Sequence, residues 1–339
     1  MHAGRHYSIK EVLYWTRRDI YWLIAIACIP TILYEIFQCK WLTLPWVPIA
    51  LVGTAVAFLV GFKNNATYDR MWEARRSWGS IINSSRTWGI AVKDYITARH
   101  VNGNETELRA VHRTLIYRHF AWLVALRYQL REPRAWENMT KNYNREYREH
   151  NFHVAEQEGA LGDELKKFLS PEELEYVMSK KNKATQIISL QSKHLRELLD
   201  NGGTKEDLRH IELGKLLAEF YNQQGVCERI KNFPYPRQFA TANMYFIKLF
   251  IIMLPFGMLQ EFEKMGEDFV WLTVPFSAIV SWVFTTMEKI GVSTENPFEG
   301  SANDIPMTAL SRTIEIDLRE MMDESEIPQP VQPVHNILL

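Results

Sequence analysis

The sequence predicts an all-α membrane protein with four transmembrane helices and a helical cytoplasmic domain. Four runs with almost no charged residue predict the membrane helices, and apolar residues spaced three and four apart predict helices in the charged remainder. No stretch of useful length alternates apolar and polar residues, so we expect almost no β-sheet. The 339 residues are 47% hydrophobic and 23% charged, which excludes a fully lipid-embedded protein and a mostly disordered one.

The four apolar runs differ in length. Residues 20–34 form a short first run, whereas residues 41–62 form an uncharged run long enough to cross about 30 Å of hydrocarbon. Residues 238–260 are apolar except for Lys248, and residues 269–287 are uncharged. A soluble helix would carry polar residues at every third or fourth position, so buried core helices are the weaker alternative.

The distribution of Lys and Arg predicts the orientation, because these residues favour the cytoplasmic side. They are frequent before the first run and after the second, and sparse in the two short links. We therefore expect an inner (plasma) membrane protein with both termini in the cytoplasm. The predicted organisation is a cytoplasmic N-terminal segment (1–19), a transmembrane hairpin (20–62), a cytoplasmic helical domain (63–235), a second hairpin (236–290), a cytoplasmic C-terminal helical segment (291–325) and an extended tail (326–339).

The charged middle of the chain predicts three amphipathic helices. Apolar residues recur at helical spacing over residues 105–131, 174–199 and 208–230. Ser170 followed by Pro171 is typical of a helix start, and the sequence from Asn201 to Gly203 is typical of a helix end. A further helix is expected near the C-terminus, capped by Asp304 or Thr308, with a stripe of Leu310, Ile314, Ile316 and Leu318.

Composition and motifs exclude several kinds of chemistry. The 39 Lys and Arg residues balance 40 Asp and Glu, so nothing favours a nucleic-acid partner. Three distant cysteines form neither a disulfide framework nor a CxxC metal motif. HExxH, GxSxG, Walker and GxGxxG motifs are absent, so we expect no catalytic residues, no metal and no cofactor.

Two segments are the most informative. Residues 61–79, GFKNNATYDRMWEARRSWG, continue the second run without a proline and predict a helix leaving the membrane, supported by ion pairs and cation–π contacts. After the fourth run, the sequence ENPF breaks the chain. The residues singled out as a structural motif are Asn64, Asn65, Asp69, Arg70, Trp72, Glu73, Arg76, Asn296, Pro297 and Phe298.

These segments, together with Gly225-Val-Cys-Glu-Arg-Ile before the third run and LSRTIEIDLR near the end, resemble the bestrophin family, above all its prokaryotic branch, over about residues 5–325. The resemblance implies a homopentameric channel with a central axial pore. It further implies that each subunit contributes four spans, of which the second lines a hydrophobic neck.

The resemblance places the neck at Thr54, Phe58 and Phe62. Their spacing of four residues agrees, because it puts all three on one helix face. The alternative is that both phenylalanines pack against neighbouring spans. Relatives carry a larger aliphatic residue where Thr54 lies, so we expect a wetter ring there.

The resemblance also implies a second, cytoplasmic constriction, which it assigns to Ile187, with Ile188 as the neighbouring alternative. Animal relatives bind Ca²⁺ through consecutive acidic residues after the ENPF turn. Here only Glu299 and Asp304 remain, too few hard oxygen ligands for Ca²⁺, so we predict no calcium gating through this site.

The expected function is passive conduction of monovalent ions. The resemblance favours anions such as chloride, and Lys63 would attract anions if it faced the pore; a cation-selective (sodium) channel is the alternative. A membrane-embedded enzyme would need titratable groups in the spans, where only Lys248 is available. A non-conducting membrane scaffold is the third hypothesis.

Overall fold

The computed structural model describes residues 1–101, 104–139, 141–201 and 207–339. Within these ranges every regular element is a helix, and the β pairing consists of isolated bridges from Ile337 to His2 and to Val334. The helices are α1 (Ile9–Glu35), α2 (Trp46–Tyr95), α3 (Glu105–Arg131), α4 (Asn142–Asn151), α5 (Ala155–Glu158), α6 (Leu161–Leu165), α7 (Pro171–Met178), α8 (Lys183–Asn201), α9 (Asp207–Asn232), α10 (Arg237–Glu263), α11 (Thr273–Thr294) and α12 (Met307–Met321), with short 3₁₀ turns at Lys40–Leu42, Ala98–Val101 and Glu267–Leu272.

The chain divides into two compact units. Unit 1 comprises Met1–Ala3, Met71–Phe233 and Pro297–Leu339, and unit 2 comprises Gly4–Arg70 and Pro234–Asn296. The division falls within α2, so residues of this one helix belong to both units.

Unit 2 contains the apolar runs. Among the described residues, three helical segments are long and apolar enough to cross a membrane: Lys40–Tyr95, Arg237–Glu263 and Glu267–Thr294. They contain the second, third and fourth predicted spans. The first predicted span lies within α1, whose N-terminal third is charged and which is not among the three.

Close helix packing holds unit 2 together. Ile49, Val56 and Val60 of α2 are buried in one cluster with apolar residues of α10. Glycines make this approach possible: a Cβ at Gly53 would come within 2.7 Å of the Phe250 ring, and one at Gly257 within 2.5 Å of Ile49. A side chain at either position would collide with its neighbour, so Phe250 packs directly on the backbone of α2 and Ile49 on that of α10.

Unit 1 is built around buried aromatic residues. Trp78 and Trp88 of α2, Trp122 of α3 and Phe220 of α9 are fully buried in one core. The Trp122 indole donates a hydrogen bond to Gln224 Oε1 at 3.0 Å, which satisfies its one polar atom. The predicted helix over residues 105–131 is confirmed as α3, and that over 208–230 is confirmed within α9.

One predicted helix is wrong, because residues 174–199 form two helices. Ser170 caps α7 as expected, but α7 ends at Met178. The Asn182 side chain accepts a hydrogen bond from the Thr185 backbone N–H at 3.0 Å and so starts α8 afresh. The predicted end of this segment, at Gly202 and Gly203, lies outside the described residues.

The predicted cap of α12 is also wrong. Pro306 precedes the helix, and no side chain caps it. Asp304 instead binds Arg131, and the Thr308 hydroxyl donates to Glu156 at 2.6 Å. The predicted stripe is buried at Ile314 and Leu318 and half-buried at the two other positions.

The C-terminal tail has a packing role that its sequence did not reveal. Residues 326–339 contain no helix, and the chain turns at His335 and Asn336, both with positive φ. Ile337 and Leu339 are then buried against Phe152 and neighbouring residues. The tail is therefore held on unit 1 rather than free in solvent.

Candidate functional site

The α2 helix presents an aromatic ridge on its exposed face. The side chains of Phe58 and Phe62 are 65% and 69% exposed, and Thr54 one turn before them is exposed as well. The Thr54 hydroxyl donates to the Ala50 carbonyl at 2.9 Å, so its polar atom is turned back to the helix. The alternative that the two rings pack into the interior of their own chain does not fit this exposure.

The exposed face is a continuous stripe. Leu51 precedes the ridge and Asn65 and Asp69 follow it, each three or four positions from its neighbour, and all are exposed. Residues at this spacing share one side of a helix. Asp69 is the first charged residue along the stripe after the two phenylalanines. The stripe thus passes from apolar and aromatic side chains to polar and acidic ones.

The opposite face of α2 is buried and carries Lys63. This side chain is only 3% exposed and forms an ion pair with Glu288 of α11. The Asn243 amide of α10 donates to the second Glu288 oxygen at 2.5 Å. The carboxylate therefore links three helices, and the Lys63 charge is compensated inside unit 2. Lys63 therefore lies away from the exposed face that carries Phe58 and Phe62.

Residues next to Lys63 also attach α2 to α11. The Asn64 amide donates to the Met287 carbonyl at 3.2 Å, and the Thr294 hydroxyl donates to Thr67 at 3.1 Å. A Cβ at Gly291 would collide with the Asn64 side chain. In the GFKNN segment, Lys63 and Asn64 therefore contact α11, whereas Phe62 and Asn65 are exposed.

The charged end of the motif forms different pairs from those that its spacing suggested. Glu73 forms an ion pair with Arg229 of α9, not with Arg76 three positions away. The predicted cation–π contact is present, since the Arg75 guanidinium lies 5.6 Å from the Trp72 ring centre. The remaining motif residues are exposed or half-buried: Asn65, Asp69, Arg70 and Arg76.

The ENPF turn is structural. Asn296 and Phe298 are buried, and the Pro297 carbonyl accepts a hydrogen bond from the Ile305 N–H at 3.2 Å. Phe298 belongs to the core of unit 1. The turn therefore closes the loop that leads to α12.

The two acidic residues after this turn, Glu299 and Asp304, form hydrogen bonds within the chain. One Asp304 oxygen accepts hydrogen bonds from Arg131 at 2.8 Å and from the Gly300 N–H at 2.6 Å. Glu299 accepts one from the Asn138 N–H at 2.8 Å, and burial raises the pKa of its carboxyl. Within the described ranges, no three His, Cys, Asp or Glu side chains are grouped as metal ligands. Sequence spacing gave no sign of Arg131, which lies far from Asp304 in the chain.

The predicted cytoplasmic constriction does not fit Ile187. Its side chain is fully buried in the core of unit 1. Ile188, the neighbouring alternative, is half-buried at the edge of the same core. Of the two neighbours, only Ile188 is partly accessible to solvent.

Comparison with known proteins identifies relatives over nearly the whole chain. The family described as "Bacterial/Fungal Bestrophin protein" matches residues 10–320. The voltage-dependent anion channel-forming protein YneE of Escherichia coli K12 is 27% identical, covering 96% of this chain and 97% of its own. The voltage-dependent anion channel-forming protein RSc3414 of Ralstonia nicotianae is 26% identical, covering 94% and 95%. A crystal structure of a bacterial bestrophin homolog from Klebsiella pneumoniae shares the fold, with a TM-score of 0.73 at 22% identity over 91% of this chain and 98% of that one.

Proposed function

The chain belongs to the family of bacterial and fungal bestrophin proteins, and on this premise we propose that it forms a homopentameric ion channel whose α2 helices line a central axial pore. The exposed ridge of Phe58 and Phe62 is the observation that carries the proposal. The opposite face of α2 is packed, whereas these two large aromatic side chains are exposed. Such exposure indicates that another surface covers them or that they line a conduit.

In the proposed pore the ridge forms the neck. Symmetry would stack rings of Phe58 and Phe62 side chains around the axis, with a ring of Thr54 one turn away. Apolar rings control conduction by excluding water, and aromatic edges can face a partly dehydrated ion. The Thr54 ring would be the wetter one, and Ile188 would form the cytoplasmic constriction.

Anions such as chloride are the proposed cargo. The names of the E. coli and Ralstonia relatives support this choice. The opposite sign, a sodium-conducting channel, is favoured by a specific observation: Lys63 is buried and paired, whereas the exposed stripe carries Asp69. Reversal potentials of the purified protein in asymmetric NaCl decide between them, and a reversal at the sodium equilibrium potential would overturn the anion proposal.

Two variants locate the origin of the selectivity. Asp69→Asn should shift the reversal potential toward anions, because it removes the acidic charge from the proposed pore surface. Lys63→Gln combined with Glu288→Gln, which removes both charges of the buried pair, should leave the reversal potential unchanged, since Lys63 faces α11. A selectivity change in this double variant, with none in Asp69→Asn, would show that α2 is turned the other way.

The proposed topology has four spans, with α1 as the first and both termini in the cytoplasm of an inner-membrane protein. The charged residues at the start of α1 and the three apolar helical segments support it. Cys39, in the link between α1 and α2, tests it. A membrane-impermeant thiol reagent should label spheroplasts through Cys39 and should fail with Cys39→Ser; labelling only after lysis would contradict the topology.

The oligomeric state is the first measurement to make, because an axial pore requires a closed ring. The particle in mild detergent should have the mass of five 39.8 kDa chains. A monomer would exclude the pore. Ion flux in liposomes then separates a channel from a non-conducting scaffold; neither relative named above is described as an enzyme.

A further inference from the structure

Unit 2 contains an apolar cavity that the conduction pathway does not use. It has a volume of about 340 Å³ and lies between α1, α10 and α11. Most of its lining side chains are aliphatic or aromatic, among them Trp22, Leu23, Ile26, Ile247, Ile251 and Ile252, and the polar remainder is Asp19, Lys248, Thr285 and Glu288. The cavity is open on one side, so a flexible apolar chain can enter it.

A lysine lines this cavity. Lys248 is exposed in the middle of an otherwise apolar stretch of α10. Within the part of the chain that the structure describes, no acidic side chain lies within ion-pair distance of it. A lone charge on a membrane-facing helix requires a counter-charge, which in a bilayer comes from another protein group or from a lipid.

The acids that line the cavity are already neutralised. Glu288 is paired with Lys63 and hydrogen-bonded by Asn243, and Asp19 is paired with Lys289. Counting these two pairs and Lys248, the cavity and its immediate surroundings carry one uncompensated positive charge. An anionic ligand is therefore favoured over a zwitterionic or cationic one.

The level of Lys248 suits a lipid headgroup. Tyr21 and Trp22 of α1 and Tyr245 of α10 are exposed, and such aromatic residues are typical of the boundary between headgroups and hydrocarbon. Lys248 lies three residues beyond Tyr245, about 5 Å along the helix. A lysine side chain can extend over that distance and bring its ammonium to the headgroup level.

We propose that this cavity is a binding site for an anionic phospholipid, with an acyl chain between α1, α10 and α11 and the phosphate on the Lys248 ammonium. The apolar wall supplies affinity for the chain, and the uncompensated lysine selects the negative headgroup. The site requires membrane insertion but not conduction, so its test does not depend on the proposed channel function.

Lipid retention by the purified full-length protein tests the proposal. The protein in mild detergent is titrated with phosphatidylglycerol or phosphatidylcholine, and bound lipid is counted by native mass spectrometry. We expect phosphatidylglycerol to be retained about fivefold more tightly, the effect of one lysine near the membrane surface. Lys248→Gln should abolish this preference, whereas Lys264→Gln, at an exposed pair with Glu261, should preserve it.

A second variant tests the place of the acyl chain. Ile252 lines the cavity but is 53% exposed, so Ile252→Trp can fill the space without disturbing the core. It should lower the retention of both lipids. Equal binding of the two lipids by the unmodified protein, as expected if a neighbouring subunit covers the cavity, would overturn the proposal. So would an undiminished preference in Lys248→Gln or undiminished retention in Ile252→Trp.

Discussion

Aromatic residues are abundant in both units of this protein, yet the two units place them in opposite ways. In unit 1, Trp78, Trp88 and Trp122 are fully buried and pack with phenylalanines. In unit 2, Trp22 and Trp41 are 72% and 80% exposed, and the α2 ridge is bare as well. Unit 1 buries its large aromatic side chains, as a protein in water does. The exposed aromatic side chains of unit 2 are instead expected to contact lipid, a conduit or another subunit.

Both units bury ion pairs, and the difference between them lies in one exposed lysine. Unit 1 buries a network in which Arg131 and Asp304 are almost inaccessible, and this network ties α3 to the loop before α12. Unit 2 buries its Lys63–Glu288 pair between helices and leaves Lys248 on an apolar surface. If the contrast holds, substitutions at buried side chains of unit 1 should destabilise the protein more than substitutions at exposed side chains of unit 2.

The largest expected effect is at Trp122. Trp122→Ala should lower the free energy of unfolding by about 3–5 kcal/mol, because it opens a cavity in the core and leaves Gln224 without its donor. Trp41→Ala, the matched change in unit 2, should cost less than about 1 kcal/mol. Thermal unfolding in detergent compares the two, and equal losses would contradict the contrast.

A similar loss is expected at Asp304. Asp304→Ala leaves the Arg131 charge buried without its main partner and should cost about 3–5 kcal/mol. Asp163→Ala, which breaks the exposed pair with Lys166, should leave stability almost unchanged. The current should not depend on Ca²⁺ in either protein. A calcium-dependent current that Asp304→Ala abolishes would overturn the prediction of no calcium gating.

A smaller, pH-dependent effect is expected from His119. Complete burial lowers the pKa of this imidazole to about 3, and its Nε2 lies 2.8 Å from the Ser85 hydroxyl. Below about pH 6.5 the unfolded chain binds a proton that the folded chain does not, so stability should fall by up to about 1.4 kcal/mol per pH unit until about pH 3. The free energy of unfolding, measured between pH 7.5 and 5, should depend less steeply on pH in His119→Gln than in the unmodified protein. Burial also lowers the pKa of His112, so both proteins keep the part of the pH dependence that comes from His112.

The smallest effect on stability is expected at the ridge. Phe58→Ala and Phe62→Ala should each change the free energy of unfolding by less than about 0.5 kcal/mol, because these side chains are exposed. Each should nevertheless raise the single-channel conductance by widening and wetting the neck. Phe246→Ala, an exposed aromatic on α10, should leave the conductance unchanged. Unaltered current in both ridge variants would show that the rings face elsewhere.

The spacing of apolar residues in the sequence predicted the features that depend only on neighbouring residues in the chain. The bounds of α3 follow from its regular apolar spacing, and the spacing of Phe58 and Phe62 placed them on one face of α2. The same reasoning missed the break before Lys183, because the amphipathic pattern continues through it while Asn182 starts a new helix.

Contacts between residues far apart in the chain could not be predicted from the sequence. The pairing of Lys63 with Glu288, the burial of Ile187 and the packing of Ile337 depend on which helices meet, and no spacing encodes that. Periodicity showed which residues share a face of α2. Only the fold showed which face is covered.

The glycine contacts of α2 restrict how the proposed neck can open. Rotation of α2 about its own axis would replace Gly53 by a bulkier neighbour at the Phe250 ring and would move Ile49 away from Gly257. A twist-to-open mechanism would therefore disrupt close packing between α2 and α10 in unit 2. Two motions of the proposed neck would preserve these contacts: rotamer changes of the phenylalanines, or displacement of α2, α10 and α11 as one rigid group.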